Sequence, residues 1–447
     1  MPPWSGAQAT RSGGSIRRQL AVWIGGAAAL VGLPLIGYLA NSHELYALGA
    51  GAILLLIGLL VIDIRFLAVL AIPCTLVVLR AGGASGLSVS DLVLFMGTLC
   101  ALTVFRLRDA PEVRSLLWLL AFYEATTVLT VIENPYRSNL IEWVHEAFLV
   151  GGSIIVGWVV AYAGKAKAAV TTYMFGACFI ALWACLQTLT HGLSPAYLPG
   201  GMQKNYIGDM MAFASLLAYT RPSWIGWRSR VWPWVALVVC LLGLVASQSK
   251  QAMISLAFAI IFMQFRSRGM GRRSKLIFLA LIPMLIIAFD ILSSEISSHN
   301  RFNSVYTRLS AYSDSIQVWS HSPLVGVGLR WWYLLKFQPA IQPPNAELEM
   351  LTSAGVIGLI GFFVLFFGAL AVLRKVPKEV GTLALAVLLM RLLQGQLDLF
   401  WVAAQGSLPW MLVGLVLGIA ALERRWKRRP TLPAPPSSRS PDLVSLW

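Results

Sequence analysis

Apolar runs recur from one end of this chain to the other. A membrane-spanning helix needs about 20 mostly apolar residues. Runs of that kind, some of them shorter, fall at 20–40, 45–62, 66–80, 87–105, 115–132, 143–163, 168–190, 205–219, 232–248, 251–265, 276–292, 353–373, 380–393 and 400–422. No intervening stretch is long and polar enough for a water-soluble domain. Only 12% of the 447 residues are charged, about half of the roughly 25% typical of soluble domains. The sequence therefore predicts an all-α, polytopic integral membrane protein with about 12–14 transmembrane helices, and it excludes a soluble enzyme, a disulfide scaffold or a disordered chain. The run at 20–40 follows Arg11, Arg17 and Arg18 and has no small-residue cleavage pattern, so it reads as a retained first span.

Orientation follows from the basic residues. With the N-terminus in the cytoplasm and sides alternating, nine of the 35 Lys and Arg residues fall outside and the remaining 26 inside. The net charge of +16 is thus spread between spans and forms no continuous basic face, which argues against nucleic acid as a partner. The expected topology is multi-pass with both termini in the cytoplasm. The chain divides into N-terminal helices (1–292), one large extracytoplasmic loop (293–350), C-terminal helices (351–422) and a basic, disordered tail (423–447). Loops as long as 293–350 are usually functional. Within it, Tyr306–Trp319 has helical apolar spacing and Ser322–Gly328 reads as turns. The five cysteines sit inside apolar runs without CxxC spacing, so neither a disulfide nor a metal is expected.

The outer-side cations are the informative minority, because the positive-inside rule does not explain them. Lys204 opens the short run 205–219, with Asp209 just beyond. Lys250 sits in a tight outward turn, Arg308 and Arg330 lie in the large loop, and Arg391 ends the run 380–393. Local pairings are open as alternatives: Lys204 with Asp209, Arg308 with Asp314, Arg391 with Asp398. Lys250 has no acid near it in sequence. Gathered together, these cations would make an outward-facing pocket for a phosphate-bearing lipid head group.

Other chemistries lack their motifs. The histidines at 43, 145, 191, 299 and 321 show no metal-ligand spacing, and there is no nucleophile elbow or Walker loop. Glu347 and Glu349 follow Pro343-Pro344-Asn345, where they could act as a base or cap the next helix. Glu124, within a span, reads as a pair member or a groove lining. The Trp-rich ends (Trp224, Trp227, Trp232, Trp234, Trp331, Trp332, Trp401, Trp410) read mostly as an interface belt, and Trp331 and Trp332 could instead stack on sugar rings.

Several strings resemble O-antigen ligases and Wzy-type O-antigen polymerases. They are Arg308-Leu-Ser-Ala-Tyr-Ser-Asp-Ser-Ile-Gln-Val-Trp319 with Ser322-Pro-Leu-Val-Gly-Val-Gly328, and Pro344-Asn345-Ala-Glu-Leu-Glu followed by Gly355-Val-Ile-Gly358. Gln203-Lys204-Asn205-Tyr-Ile-Gly208 and Ser247-Gln-Ser249-Lys250-Gln-Ala252 are similar to two shorter motifs of the same enzymes. The resemblance implies a C-type, metal-independent, inverting glycosyltransferase without a cofactor. Its donor would be an undecaprenyl-diphosphate-linked oligosaccharide and its acceptor a glycan or lipid, with membrane lipids and polysaccharide-assembly proteins as further partners. Family arginines hold the donor diphosphate: Lys250 stands at one such position and Arg308 at the other, with Lys204, Arg330 and Arg391 as further diphosphate ligands. The family's loop histidine falls at Pro344, which cannot accept a proton. Glu347 is the expected substitute and His321 the alternative, while Asn345, Trp331 and Trp332 would contact acceptor or sugar. A flippase and a non-catalytic assembly partner are the rival readings, although no internal repeat supports a transporter.

Overall fold

The computed structural model describes residues 65–79, 87–192, 194–229, 231–266, 304–334, 336–337 and 341–427, with the single positions Asp63, Ile286 and Ser293. The expected spans at 20–40, 45–62 and 276–292, and the tail beyond Lys427, lie outside these residues. The described secondary structure is helical, with isolated bridges at Ser88 and between Leu198 and Met202. Its helices are α1 (Arg65–Cys74), α2 (Val89–Leu102), α3 (Pro111–Glu133), α4 (Arg137–Tyr162), α5 (Ala166–Thr190), α6 (Lys204–Thr220), α7 (Trp232–Ser247), α8 (Lys250–Arg266), α9 (Ser304–Trp319), α10 (Ala346–Arg374), α11 (Lys378–Gly395) and α12 (Ala403–Lys427). Among them, α3, α4, α5, α10 and α12 are long and apolar enough to cross a membrane.

Local chemistry sets the helix starts. Ser88 caps α2 through a reciprocal pair with Asp91, Pro111 supplies a preset first turn for α3, and Asn345 caps α10 by accepting the Leu348 N–H at 2.9 Å. The ends differ from expectation where apolar composition alone hid them. Helix α4 begins six residues before its apolar run and α10 two turns before its own, while α12 continues to Lys427, into the segment expected as tail. Thus the last residues of the expected large loop are helix, and so is the expected Tyr306–Trp319 stretch within α9.

The centre of the bundle is the pair α4 and α12. Of their most apolar windows, 83% and 94% is buried, against 33% for α3 and 39% for α10. The latter two, with α5, turn large side chains such as Trp118, Ile132, Phe179 and Phe367 outward, as a lipid-facing perimeter requires. Without a hydrophobic drive between helices in lipid, close approach depends on small residues. A Cβ on Gly157 of α4 would stand 2.0 Å from the Met411 carbonyl, and one on Gly414 of α12 would stand 2.2 Å from that of Ile154. Trp401 and Trp410, expected at the interface belt, are buried instead.

The bundle has two unlike ends. One gathers Arg266 on Thr382 (3.2 Å), Arg425 on Tyr162 (3.1 Å) and a two-pronged Arg424–Glu112 pair, at the ends of helices also flanked by Lys165, Arg374 and Lys378. The opposite end carries the turns at 133–137, 247–250, 320–346 and 395–403.

At that second end, α10 is broken. Gly355 adopts φ 64°, ψ −167°, and a Cβ there would lie 2.2 Å from the Leu324 carbonyl, so only glycine fits. The groups freed by the break are taken up by the expected turn region. Val327 and Gly328 donate to Thr352 and Ser353, while Val356 and Ile357 donate to Pro323 and Leu324, all at 3.0–3.1 Å. Tyr136 and Asn139, at the α3–α4 corner, grip the same segment from the other side: the Tyr136 hydroxyl reaches the Leu329 carbonyl (3.1 Å) and Asn139 receives the Leu329 N–H (2.9 Å). The loop is therefore held rigidly against membrane helices, and it delivers Arg330 to a fixed place.

Candidate functional site

The first site residues are placed by a contact between helix ends. Gln248 takes a left-handed conformation (φ 53°) and turns the chain from α7 into α8, which Lys250 opens. The start of α6 abuts this turn so closely that a Cβ on Gly208 would meet Ser249 at 2.3 Å. Lys204 opens α6 one turn earlier, so the two lysines head two helices that meet at this point. The Lys250 ammonium nitrogen is buried within the protein.

Gln396, just past α11, ties the remaining elements together. Its side-chain amide donates to Glu347 Oε1 (2.7 Å), and its carbonyl receives Asn345 Nδ2 (3.2 Å) and the Tyr312 hydroxyl (3.4 Å). Two residues on, Asp398 accepts from Gln251 Nε2 at 2.6 Å, which links this hub to the Lys250 turn. Arg308 lies one turn before Tyr312 on α9, and its charge acts on both Tyr312 and Asp398. Burial pushes the Tyr312 hydroxyl above its ordinary value against the pull of Arg308. Burial likewise raises the Asp398 carboxyl, opposed by hydrogen bonds from Leu399 and Gln251 and by Arg391 and Arg308. Glu347 keeps its second oxygen, Oε2, without a hydrogen bond.

Arg391 stands beneath this hub and is fully buried. It pairs with Asp209 (3.6 Å), donates to the Leu399 carbonyl (3.0 Å) and to that of Phe400, and covers the Phe400 ring at 4.7 Å. Asp209 in turn accepts from Gln405 Nε2 at 2.6 Å. The guanidinium is thus clamped between α6 and the 399–400 segment, and Gln405 of α12 holds its partner Asp209. Asp209 serves Arg391 rather than Lys204, and Asp398 lies by Gln251.

A second polar cluster occupies the same end. Arg330, left-handed at φ 58° and 7% exposed, binds Glu142 through Nε and lies 3.3 Å from His145 Nδ1. Glu142 also meets His145 Nδ1 at 3.0 Å, and His145 Nε2 faces Asp91 at 3.3 Å. Both ring nitrogens therefore lie within ion-pair distance of carboxylates, with a hydrogen bond made at Nδ1. Next to it the Tyr123 hydroxyl donates to Glu146 (2.5 Å). The α4 ladder widens into a π segment at Phe148–Gly152 directly after these residues, a feature frequent at functional sites.

Residues 235–363 match the family model described as O-antigen ligase, Wzy_C. That stretch is similar to the O-antigen ligase family. It is less than a third of the chain's length, yet it holds Lys250, Arg308, Arg330, Asn345 and Glu347. A search of curated proteins finds no match. The family match and the helical bundle support a membrane glycosyltransferase-like role in polysaccharide biosynthesis.

Of the residues expected in the site, Arg308, Asn345 and Glu347 lie at one hub, and Lys250 precedes the Gln251 that bonds to it. Arg391 lies below it, and Arg330 lies in the second cluster. Trp332 is half-buried, but Trp331 is 1% exposed, packed on Val318, Val327 and Phe337 with its indole N–H 3.4 Å from Thr352; no face remains for a sugar. Asn345 caps α10, the role weighed for its acidic neighbours. No ion pair joins Arg308 to Asp314, which accepts from Ser310 at 3.4 Å. His321 is exposed and bonded to the Gln317 carbonyl (3.0 Å). The Glu124 carboxylate oxygens are buried within α3 without a hydrogen bond. Sequence reasoning missed Asp91, Glu142 and Glu146 and set His145 aside. The available signal was Glu142, His145 and Glu146 at i, i+3 and i+4, one face of a helix.

Proposed function

We propose that this protein transfers a glycan from a polyprenyl diphosphate to a hydroxyl acceptor at the outer face of a bacterial cytoplasmic membrane, as a metal-independent, inverting glycosyltransferase. The observation that carries this reading is the convergence on Gln396 and Asp398 of Glu347, Arg308 and Gln251, the residue next to Lys250, drawn from three separate helices. Lys250 and Arg308, with Lys204 beside them, neutralise the departing diphosphate. Because that leaving group is already good, fixed cations aimed at its developing charge supply much of the acceleration. Gln396 holds Oε1 of Glu347, which leaves Oε2 to take the acceptor proton. The acceptor oxygen then bonds to the anomeric carbon as the carbon–oxygen bond to phosphorus breaks. Its electron pair leaves on the diphosphate, and configuration inverts in the single displacement. Arg391 acts as a positioning residue that fixes the 398–400 segment.

The test is mass spectrometry of polyprenyl-diphosphate glycans in cells lacking this protein, complemented with wild type, Lys250→Ala or Arg308→Ala. Donor should accumulate in both variants while their membrane levels stay normal. Single repeats would mark a polymerase and long lipid-linked chains a ligase. Intact surface glycan in both variants, without accumulation, would overturn the proposal.

A further inference from the structure

Beside α2, α4 and the loop after Gly328 lies a cavity whose wall has a mixed chemistry. It presents Ser88, Glu142, Arg330 and Gln342 together with the aromatic rings of Trp332 and Trp401. The ionisable groups of this wall already face one another: Arg330 and His145 stand against Glu142, and Asp91, outside the wall, lies 3.3 Å from His145. A guanidinium already bound to a carboxylate is a poor partner for a diphosphate, whose two phosphates demand surplus positive charge. The same network still offers planar donor and acceptor edges, which match hydroxyl groups, next to aromatic faces that match the C–H faces of a sugar ring.

Position narrows the ligand further. Trp401, Val402 and Ala403 line the cavity and follow directly on Asp398 and the Arg391-held carbonyls. Gln342, also in the wall, donates to Glu349 at 2.8 Å, two residues from Glu347. The cavity thus adjoins the transfer centre through two short chain segments. We propose that it is a saccharide subsite, holding an uncharged sugar ring of the glycan while the diphosphate lies at Lys250 and Arg308. This moves Arg330 from the diphosphate ligands to the sugar ligands, and it rests on the glycan-transfer reading above.

The experiment uses the full-length protein in lipid nanodiscs, with lipid-linked glycan extracted from cells lacking it as substrate. Loss of one aromatic stacking contact, about 0.5–1.5 kcal/mol, corresponds to as much as roughly a tenfold weakening. Trp332→Ala should therefore raise KM severalfold to tenfold with kcat little changed, and Gln342→Ala should shift KM in the same direction. Trp332→Phe, which keeps a ring, should recover most of the loss and so separate stacking from misfolding. The oligosaccharide released from the lipid by mild acid carries the sugars without the diphosphate. It should inhibit wild type, and inhibit Trp332→Ala severalfold more weakly. Competition against acceptor would place the acceptor ring in the cavity, and competition against donor the donor ring. Unchanged KM in both alanine variants, or equal inhibition of wild type and Trp332→Ala, overturns the subsite. Wild-type turnover in Lys250→Ala and Arg308→Ala would instead overturn the transfer reading, whatever Trp332 does.

Discussion

The two polar clusters at this end of the bundle use their cations in opposite ways. Around Arg330, every positive group faces a carboxylate at short range: Glu142 serves both Arg330 and His145, and Asp91 closes the set. Around Gln396, amides and the Tyr312 hydroxyl join Glu347 to Asp398, whose carboxyl burial holds toward its neutral form, with Arg308 acting on Asp398 and Lys250 next to Gln251. Charge taken into a low-dielectric region must be paired or await a charged ligand. A matched network is a scaffold with polar edges, whereas a cationic one is built for an anion. Arg391 belongs by this criterion with the first kind, although it stands beneath the second.

The largest effect tests that assignment. Arg391→Met would leave Asp209 buried without its counter-charge, and breaking such a pair costs about 3–5 kcal/mol. We expect a collapse of thermal stability in detergent, followed by tryptophan emission, and substantial recovery when Asp209→Leu is added. Arg308→Ala, which breaks no ion pair among the described residues, should shift the melting temperature far less. A comparable loss of stability in both single variants would break the contrast between clamped and ligand-facing cations.

Next come the diphosphate ligands. Removing one preorganised electrostatic contact to a developing anion lowers turnover about 10²–10³-fold, and that is the expected loss for Lys250→Ala and for Arg308→Ala in reconstituted transfer assays. Lys250→Arg restores a planar fork suited to phosphate, so its activity should equal or exceed that of wild type. Glu347→Gln should fall at least as far, since general-base help contributes about 10²–10⁴-fold. Gln396→Ala removes the group that orients Glu347. A hydrogen bond of about 1 kcal/mol predicts a loss of roughly fivefold to tenfold in kcat, with donor KM nearly constant.

Much of this centre was legible before any coordinates. Apolar runs fix where a helix must cross, so the cations left at the minority side stand out, and the strings around Lys250, Arg308 and Asn345 added order to them. What stayed hidden has physical causes. Helix α4 starts six residues before its apolar run, which placed Glu142 outside the expected span and His145 near its end. Arg391 looked toward Asp398, seven residues on, but its partner Asp209 comes from another helix, and contacts across helices leave no mark in local spacing. Trp331 and Trp332 are adjacent and chemically alike. Only the docking of 323–328 onto the break at Gly355 decides that one is core and the other lines a cavity.

The smallest expected effect is also the most specific. Burial raises the Asp398 carboxyl, so the folded protein holds that proton more tightly than the unfolded chain does. By linkage, its contribution to stability is complete below the ordinary carboxylate range, near 3.9 for an unfolded Asp, and is lost as pH rises through the raised folded value. Asparagine cannot ionise and loses nothing over that interval. Asp398→Asn should therefore match wild type in acid and become modestly more stable as pH rises toward neutrality, a difference that melting curves across pH will resolve. The same substitution strips one potential counter-charge from Arg308, so donor KM should fall above the folded value and stay level below it. A stability gap that is constant with pH would mean that Asp398 ionises as readily in the folded protein as in the unfolded chain, and the hub would then hold a full carboxylate against its cations.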